Sequence, residues 1–207
     1  MISLFKAIES GKLQKKDTIP LEEYYRSSGS GSLQYKAQGV TLDIDNLAKL
    51  MITESDNSST NMLMSAIGSM TSVNDDIKRW GLKNTHINTW LPDLEGTNYT
   101  STKDLVTMLH NLDNEAFLTL ESRADIFDYM GHVKNNRLLA AGIPNDASIA
   151  HKTGDIGSML GDAGIIYSPN GRKYIVAIMV NRPHNDYSAK EFIVDASKTI
   201  YNYMTNY

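Results

Sequence analysis

The sequence contains no cysteine, which excludes disulfide frameworks, thiolate metal sites and a cysteine nucleophile. It has no excess of positive charge: 20 Lys and Arg stand against 24 Asp and Glu, a net charge of −4. Phosphate binding wants a basic surface, so nucleic acid is not expected as the main partner. Long apolar runs are missing as well. The longest, Tyr174 to Val180, falls far short of the roughly 20 residues that cross a bilayer. His86, His110, His132, His151 and His184 show no metal-ligand spacing, so they read as surface or hydrogen-bonded side chains, and neither metal nor cofactor is expected. What is present suits a globular protein: 207 residues, 41% hydrophobic and 21% charged, enough to bury a core without staples.

Helical periodicity opens the chain at Ile2 to Ile8 and stops at Gly11. No cap and no signal-peptide pattern precede it, so the expectation is that residues belong ahead of Met1. Residues 12–40 are polar, and Ser27-Ser28-Gly29-Ser30-Gly31-Ser32 reads as an ordered surface loop. Asp43 is placed to cap a helix bearing Ile44, Leu47, Leu50 and Met51. Two more helices follow, through Ile67 and from Val73 to Trp80. Residues 82–100 lack periodicity, and so long an irregular segment is usually functional or disordered. Ser101-Thr102-Lys103-Asp104 has the form of a capping box, and Phe117 to Met130 marks another helix. Three strands are then expected at Ala147–Lys152, Gly161–Tyr167 and Tyr174–Val180, the last two joined through Asn170-Gly171, a hairpin signal. A final capping box, Ser188-Ala189-Lys190-Glu191, opens the last helix.

Chemistry concentrates in three segments. Ser55-Asp56-Asn57 lies between two helices, Lys152-Thr153-Gly154 ends a strand, and the irregular segment carries Trp90-Leu91-Pro92-Asp93-Leu94-Glu95-Gly96-Thr97-Asn98. Each alone is a turn, a cap or strand-end punctuation. In this order and on these elements they match two of the three signature motifs of penicillin-recognising serine enzymes. Together with the stretches Leu47–Leu63 and Ile143–Val180, the chain resembles class A β-lactamases and the penicillin-binding proteins closest to them.

The resemblance implies an α/β (α+β) fold of the β-lactamase/transpeptidase type, an antiparallel sheet flanked by terminal helices with an all-helical subdomain inserted. A single domain over 1–207 is expected, with 1–11 and 145–207 as its α/β part and 12–144 as its mainly helical part. It also implies roles. Such enzymes attack an amide carbonyl with a serine to form an acyl-enzyme. The Ser55 hydroxyl would relay a proton to the leaving nitrogen, biased by Lys152 beside it. Asn57 would hold the substrate's acyl-side amide. Lys152 and Thr153 would bind the carboxylate of a β-lactam or of a peptide ending in D-alanyl-D-alanine, and Gly154 would let the substrate lie against the strand. The backbone N–H of Asp155 would form half of an oxyanion hole.

Departures from the pattern matter as much. In class A β-lactamases the residue after the equivalent of Trp90 is a glutamate that activates water. Here it is Leu91, which cannot take a proton, and Asp93 and Glu95 start out displaced in register. The resemblance therefore leans towards penicillin-binding proteins, whose acyl-enzymes persist. The acidic Asp155 directly after Gly154 has no reading from sequence. The Ser-x-x-Lys motif of nucleophile and base would fall about two helical turns ahead of Met1. Ser3-Leu4-Phe5-Lys6 has its spelling at the wrong place in the helix. The chain is thus expected to lack its nucleophile and to be inactive by itself, a shortened form of a bacterial secreted or envelope protein. Without the usual N-terminal strands, the strand at 174–180 is expected to expose an edge available for self-association. Two rivals are a non-catalytic binder of β-lactams or cell-wall peptides, and a true β-lactamase using Asp93 or Glu95.

Overall fold

The computed structural model describes residues 1–206. Helix α1 (Ile2–Glu9) buries Leu4 and Phe5 and ends where Gly11 takes a positive φ of 74°. The polar stretch that follows is ordered, as expected, but it is not only loop. Strand β1 (Thr18–Pro20) pairs antiparallel with β2 (Thr41–Asp43), and 3-10 turns form at Glu23–Tyr25 and Leu33–Tyr35. Strands of three residues are too short to show alternation, so neither was expected.

Helix α2 (Ile44–Thr53) starts where the Asp43 carboxylate accepts the Asn46 N–H at 2.7 Å. Helix α3 (Asn57–Ala66) is capped by Asp56, α4 (Ser69–Arg79) follows, and α5 (Thr102–Asp113) is capped by the Ser101 hydroxyl. The Ser101 box is only half formed. Asp104 does not reach back to Ser101 but accepts the Asn84 N–H at 2.7 Å and the Thr85 hydroxyl at 2.8 Å, tying down the irregular segment. Helix α6 (Leu120–Gly131) leads through a short 3-10 turn at Leu139–Gly142 to the sheet.

The sheet has the order β3 (Ser148–Asp155), β4 (Met159–Tyr167), β5 (Lys173–Asn181), all antiparallel. β3 runs beyond the limit set by hydropathy, because its last residues, Thr153 to Asp155, are polar or glycine, and β4 starts two residues earlier than expected, at Met159, where it pairs with the end of β5. The hairpin at Asn170-Gly171 forms as expected, closed by the Ser168 N–H on the Arg172 carbonyl at 2.8 Å. Helix α7 (Ser188–Asn206) closes the chain. Its start is fixed by Asp186, whose carboxylate takes both the N–H and the hydroxyl of Ser188, in place of the expected box.

Strand alternation divides the sheet into two faces. Ala150, Ala163 and Ile165 join Phe5, Leu47, Met62, Leu118 and Ile126 in one core with the helices. Leu160, Ile166, Tyr174 and Val176 pack with Leu138, Leu139 and Ile193 of α7 in another. β5 has no strand partner on its outer side among the described residues. No helix of the described residues is long and apolar enough to cross a membrane.

Candidate functional site

The site grows from the end of α2. Glu54 closes that helix, and Ser55 takes φ 55°, the left-handed position where glycine is usual. Holding a serine there costs about 1–2 kcal/mol. It turns the hydroxyl towards the sheet, where the Lys152 ammonium donates to it. The same ammonium donates to the Thr153 carbonyl at 2.7 Å. Burial of Lys152 disfavours its charged form and lowers its pKa to about 8, against an opposing pull from Asp162.

Asp56 and Asn57 bind the small-residue loop. The buried Asp56 carboxylate accepts the N–H of Ser59 at 2.8 Å and of Leu33 at 2.9 Å. Gly31 passes so close that a Cβ there would lie 2.1 Å from an Asp56 oxygen, which explains the glycine. The Asn57 amide donates to the Ser28 carbonyl at 2.8 Å. One turn further along α3, Asn61 holds the backbone of Leu91 from both sides, accepting its N–H at 3.1 Å and donating to its carbonyl at 2.8 Å. Asn61 was not singled out from sequence, although its place four residues after Asn57 puts it on the same helix face.

Leu91 thus sits beside α3, with Trp90 half-buried before it. Asp93 points into its own loop, accepting the N–H groups of Thr97 at 2.9 Å and Asn98 at 2.6 Å. Burial alone would raise its pKa, but these donors outweigh it and hold the carboxyl below its ordinary value. Glu95 is exposed on the loop surface.

On β3, neighbours face opposite ways. Lys152 faces the helices, while His151, Thr153 and Asp155 face the α7 side. His151 is fully buried and bonds Asp162 at 3.0 Å and Asn136 at 3.1 Å, so it is not part of the Ser55–Lys152 contact. Asp155, uninterpretable from sequence, is ion-paired to Arg182 just past β5. Ser3 and Lys6 lie apart from this constellation. The Lys6 ammonium is bonded to the Phe117 carbonyl and sits 3.6 Å from Glu9.

The site is therefore a serine, a lysine of lowered pKa and an asparagine gathered where helices meet sheet, with a loop pinned alongside. The model of the β-lactamase enzyme family matches residues 1–204. The chain belongs to that family. Among curated relatives of this β-lactamase-family chain, the β-lactamase of Bacillus licheniformis is 29% identical over 172 residues, 78% of this chain and 55% of the relative. The chain thus spans little more than half of that relative's length. Among solved structures, PBP-A is 38% identical with a TM-score of 0.98, covering 100% of this chain and 78% of that one. A leucine-to-glutamate mutant of PBP-A, solved as an acyl-enzyme complex with penicillin G, gives 37% identity and a TM-score of 0.97, with the same coverage. The mixed α/β architecture is that of the β-lactamase/transpeptidase fold.

Proposed function

We propose that residues 1–207 form the substrate-recognition frame of a penicillin-recognising serine acyl-enzyme of the D-alanyl-D-alanine peptidase type, and that they form no acyl-enzyme by themselves. The observation that carries this reading is the hydrogen bond from the Lys152 ammonium to the Ser55 hydroxyl. A lysine beside a hydroxyl biases where its proton goes, which suits delivery to a leaving amide nitrogen. The half-buried ammonium also offers a point charge to a carboxylate. Thr153, Gly154 and the N–H of Asp155 would line the strand edge, and Asn57 would meet the acyl-side amide.

Acylation needs a serine activated by a base. The one Ser-x-x-Lys in the sequence is Ser3 to Lys6, and Lys6 is engaged by Phe117 and Glu9. Release of an acyl group needs a base near Leu91, and the nearest candidate, Asp93, spends its carboxylate on Thr97 and Asn98. This favours the peptidase-like reading over a β-lactamase with a displaced base. Cell-wall peptides and β-lactams are met outside the cytoplasm, so the protein is placed in the cell envelope or secreted.

Incubating the purified chain with benzylpenicillin tests this. The expected result is reversible binding, seen as NMR shifts at Lys152 and Ser55, with no covalent mass added. A mass gain of one intact penicillin would show that the chain supplies its own nucleophile. Absence of any shift at millimolar ligand would remove the recognition frame.

A further inference from the structure

Asp155 places a carboxylate where the proposed site has least use for one. It follows Lys152-Thr153-Gly154 directly, and strand alternation sets it on the same face as Thr153, about 7 Å further along β3. That separation is shorter than the Debye length of about 8 Å at physiological salt, so an unpaired charge there would be felt by an anion at Thr153.

Arg182 answers that charge. Its guanidinium is nearly buried, with a side chain only 7% exposed, and is ion-paired to the Asp155 carboxylate. Its Nε donates to the Gly157 carbonyl at 2.8 Å and its Nη1 to the Asp186 carbonyl at 3.2 Å. The Arg182 N–H meets the Ser158 carbonyl at 2.8 Å, and the Asn185 N–H meets Gly157 at 3.0 Å. Asp155 in turn accepts the Gly157 N–H at 2.8 Å. One arginine therefore locks the 155–159 turn to the segment between β5 and α7. The pair borders a cleft of about 110 Å³ that Arg137 and Lys190 also line. Three cations stand against one carboxylate on that rim, and of the three only Arg182 is ion-paired to Asp155.

We propose that Arg182 is a positioning and charge-compensating residue of the substrate site: it cancels Asp155, so that an anionic ligand is accepted beside Lys152 and Thr153, and it fixes the turn that carries the Asp155 N–H. The inference rests on the carboxylate-binding reading above. It concerns two residues to which that reading gave no joint role.

The charge in Asp155 separates this role from mere bracing. Benzylpenicillin affinity is measured by NMR titration for the wild-type chain, Arg182→Gln and the double variant Arg182→Gln with Asp155→Asn. Arg182→Gln is expected to bind at least tenfold more weakly, because the Asp155 carboxylate loses its ion-pair partner. The double variant should return to within about threefold of wild type, since the offending charge is gone. A double variant as weak as Arg182→Gln would make Arg182 a structural brace only and overturn the proposal. Equal binding by wild type and Arg182→Gln would overturn it while leaving the recognition frame standing. No binding by the wild type would overturn both, and is told apart by that control alone.

Discussion

The Lys152 ammonium reaches from the sheet to the hydroxyl of Ser55 at the end of α2, and donates also to its neighbour's carbonyl at Thr153. Two segments 97 residues apart in sequence are joined by one donor. Its charge is conditional, because burial brings the Lys152 pKa down to about 8.

Ligand binding should follow that charge. A carboxylate ligand needs the ammonium, which is mostly present at neutral pH and mostly lost one unit above its pKa. Affinity for benzylpenicillin is expected to fall about tenfold between about pH 7 and about pH 9. Titrations at several pH values check this. A flat profile would mean that Lys152 does not meet the ligand's carboxylate.

Stability should move the other way. The folded pKa of about 8 lies below the ordinary lysine value of 10.5, so between these limits the unfolded chain holds more protons than the folded one. Folding stability from this group therefore rises as the pH increases from about 8 to 10.5. Below that window the buried charge is a burden. Lys152→Met is expected to be more stable than wild type at neutral pH, by on the order of 2 kcal/mol, and to lack the alkaline rise. Urea denaturation at three pH values reads both effects.

Asn61 should control the order of the loop at 90–98. Its side chain satisfies both backbone groups of Leu91. Asn61→Ala leaves them without partners and should cost about 1–3 kcal/mol. The expected local consequence is faster proteolytic cleavage within residues 90–98, with the sheet unaffected. Unchanged cleavage would show that Asp93 and Asn98 hold the loop without help.

What the sequence made legible follows from locality. Asp43 and Asp56 act on N–H groups three residues ahead, so the helix starts were readable. The Asn170-Gly171 turn was readable for the same reason. Ser55 and Lys152 were legible only as motifs whose combination resembles a known family; nothing local says that they touch. Arg182 was illegible because its bond to Asp155 depends on the register of two hairpins, Asp155 opposite Leu160 and Met159 opposite Asn181. Asp104 misled because its carboxylate found better donors at Asn84 and Thr85 than the start of its own helix.

His151 and Asp162 provide the last test, directly behind the site. His151 sits on β3 beside Lys152, and its Nδ1 lies 3.0 Å from both Asp162 carboxylate oxygens. Asp162 also accepts the Leu139 N–H at 3.1 Å, and the Leu139 carbonyl accepts the Ser197 hydroxyl at 2.8 Å. One buried carboxylate thus ties β3 and β4 to the 3-10 turn and, through it, to α7. Removing one partner of this buried hydrogen-bonded pair leaves the other unsatisfied, a loss on the order of 3 kcal/mol. His151→Leu is expected to cost that much in urea denaturation. His151→Leu with Asp162→Leu should recover at least half of it, because no buried polar side chain is then left without its partner. What stays lost is the Leu139 N–H, orphaned at about 1–3 kcal/mol. A His151→Leu variant within about 1 kcal/mol of wild type would mean that Leu139 alone satisfies Asp162, and that the histidine is not what holds β3 in place behind Lys152.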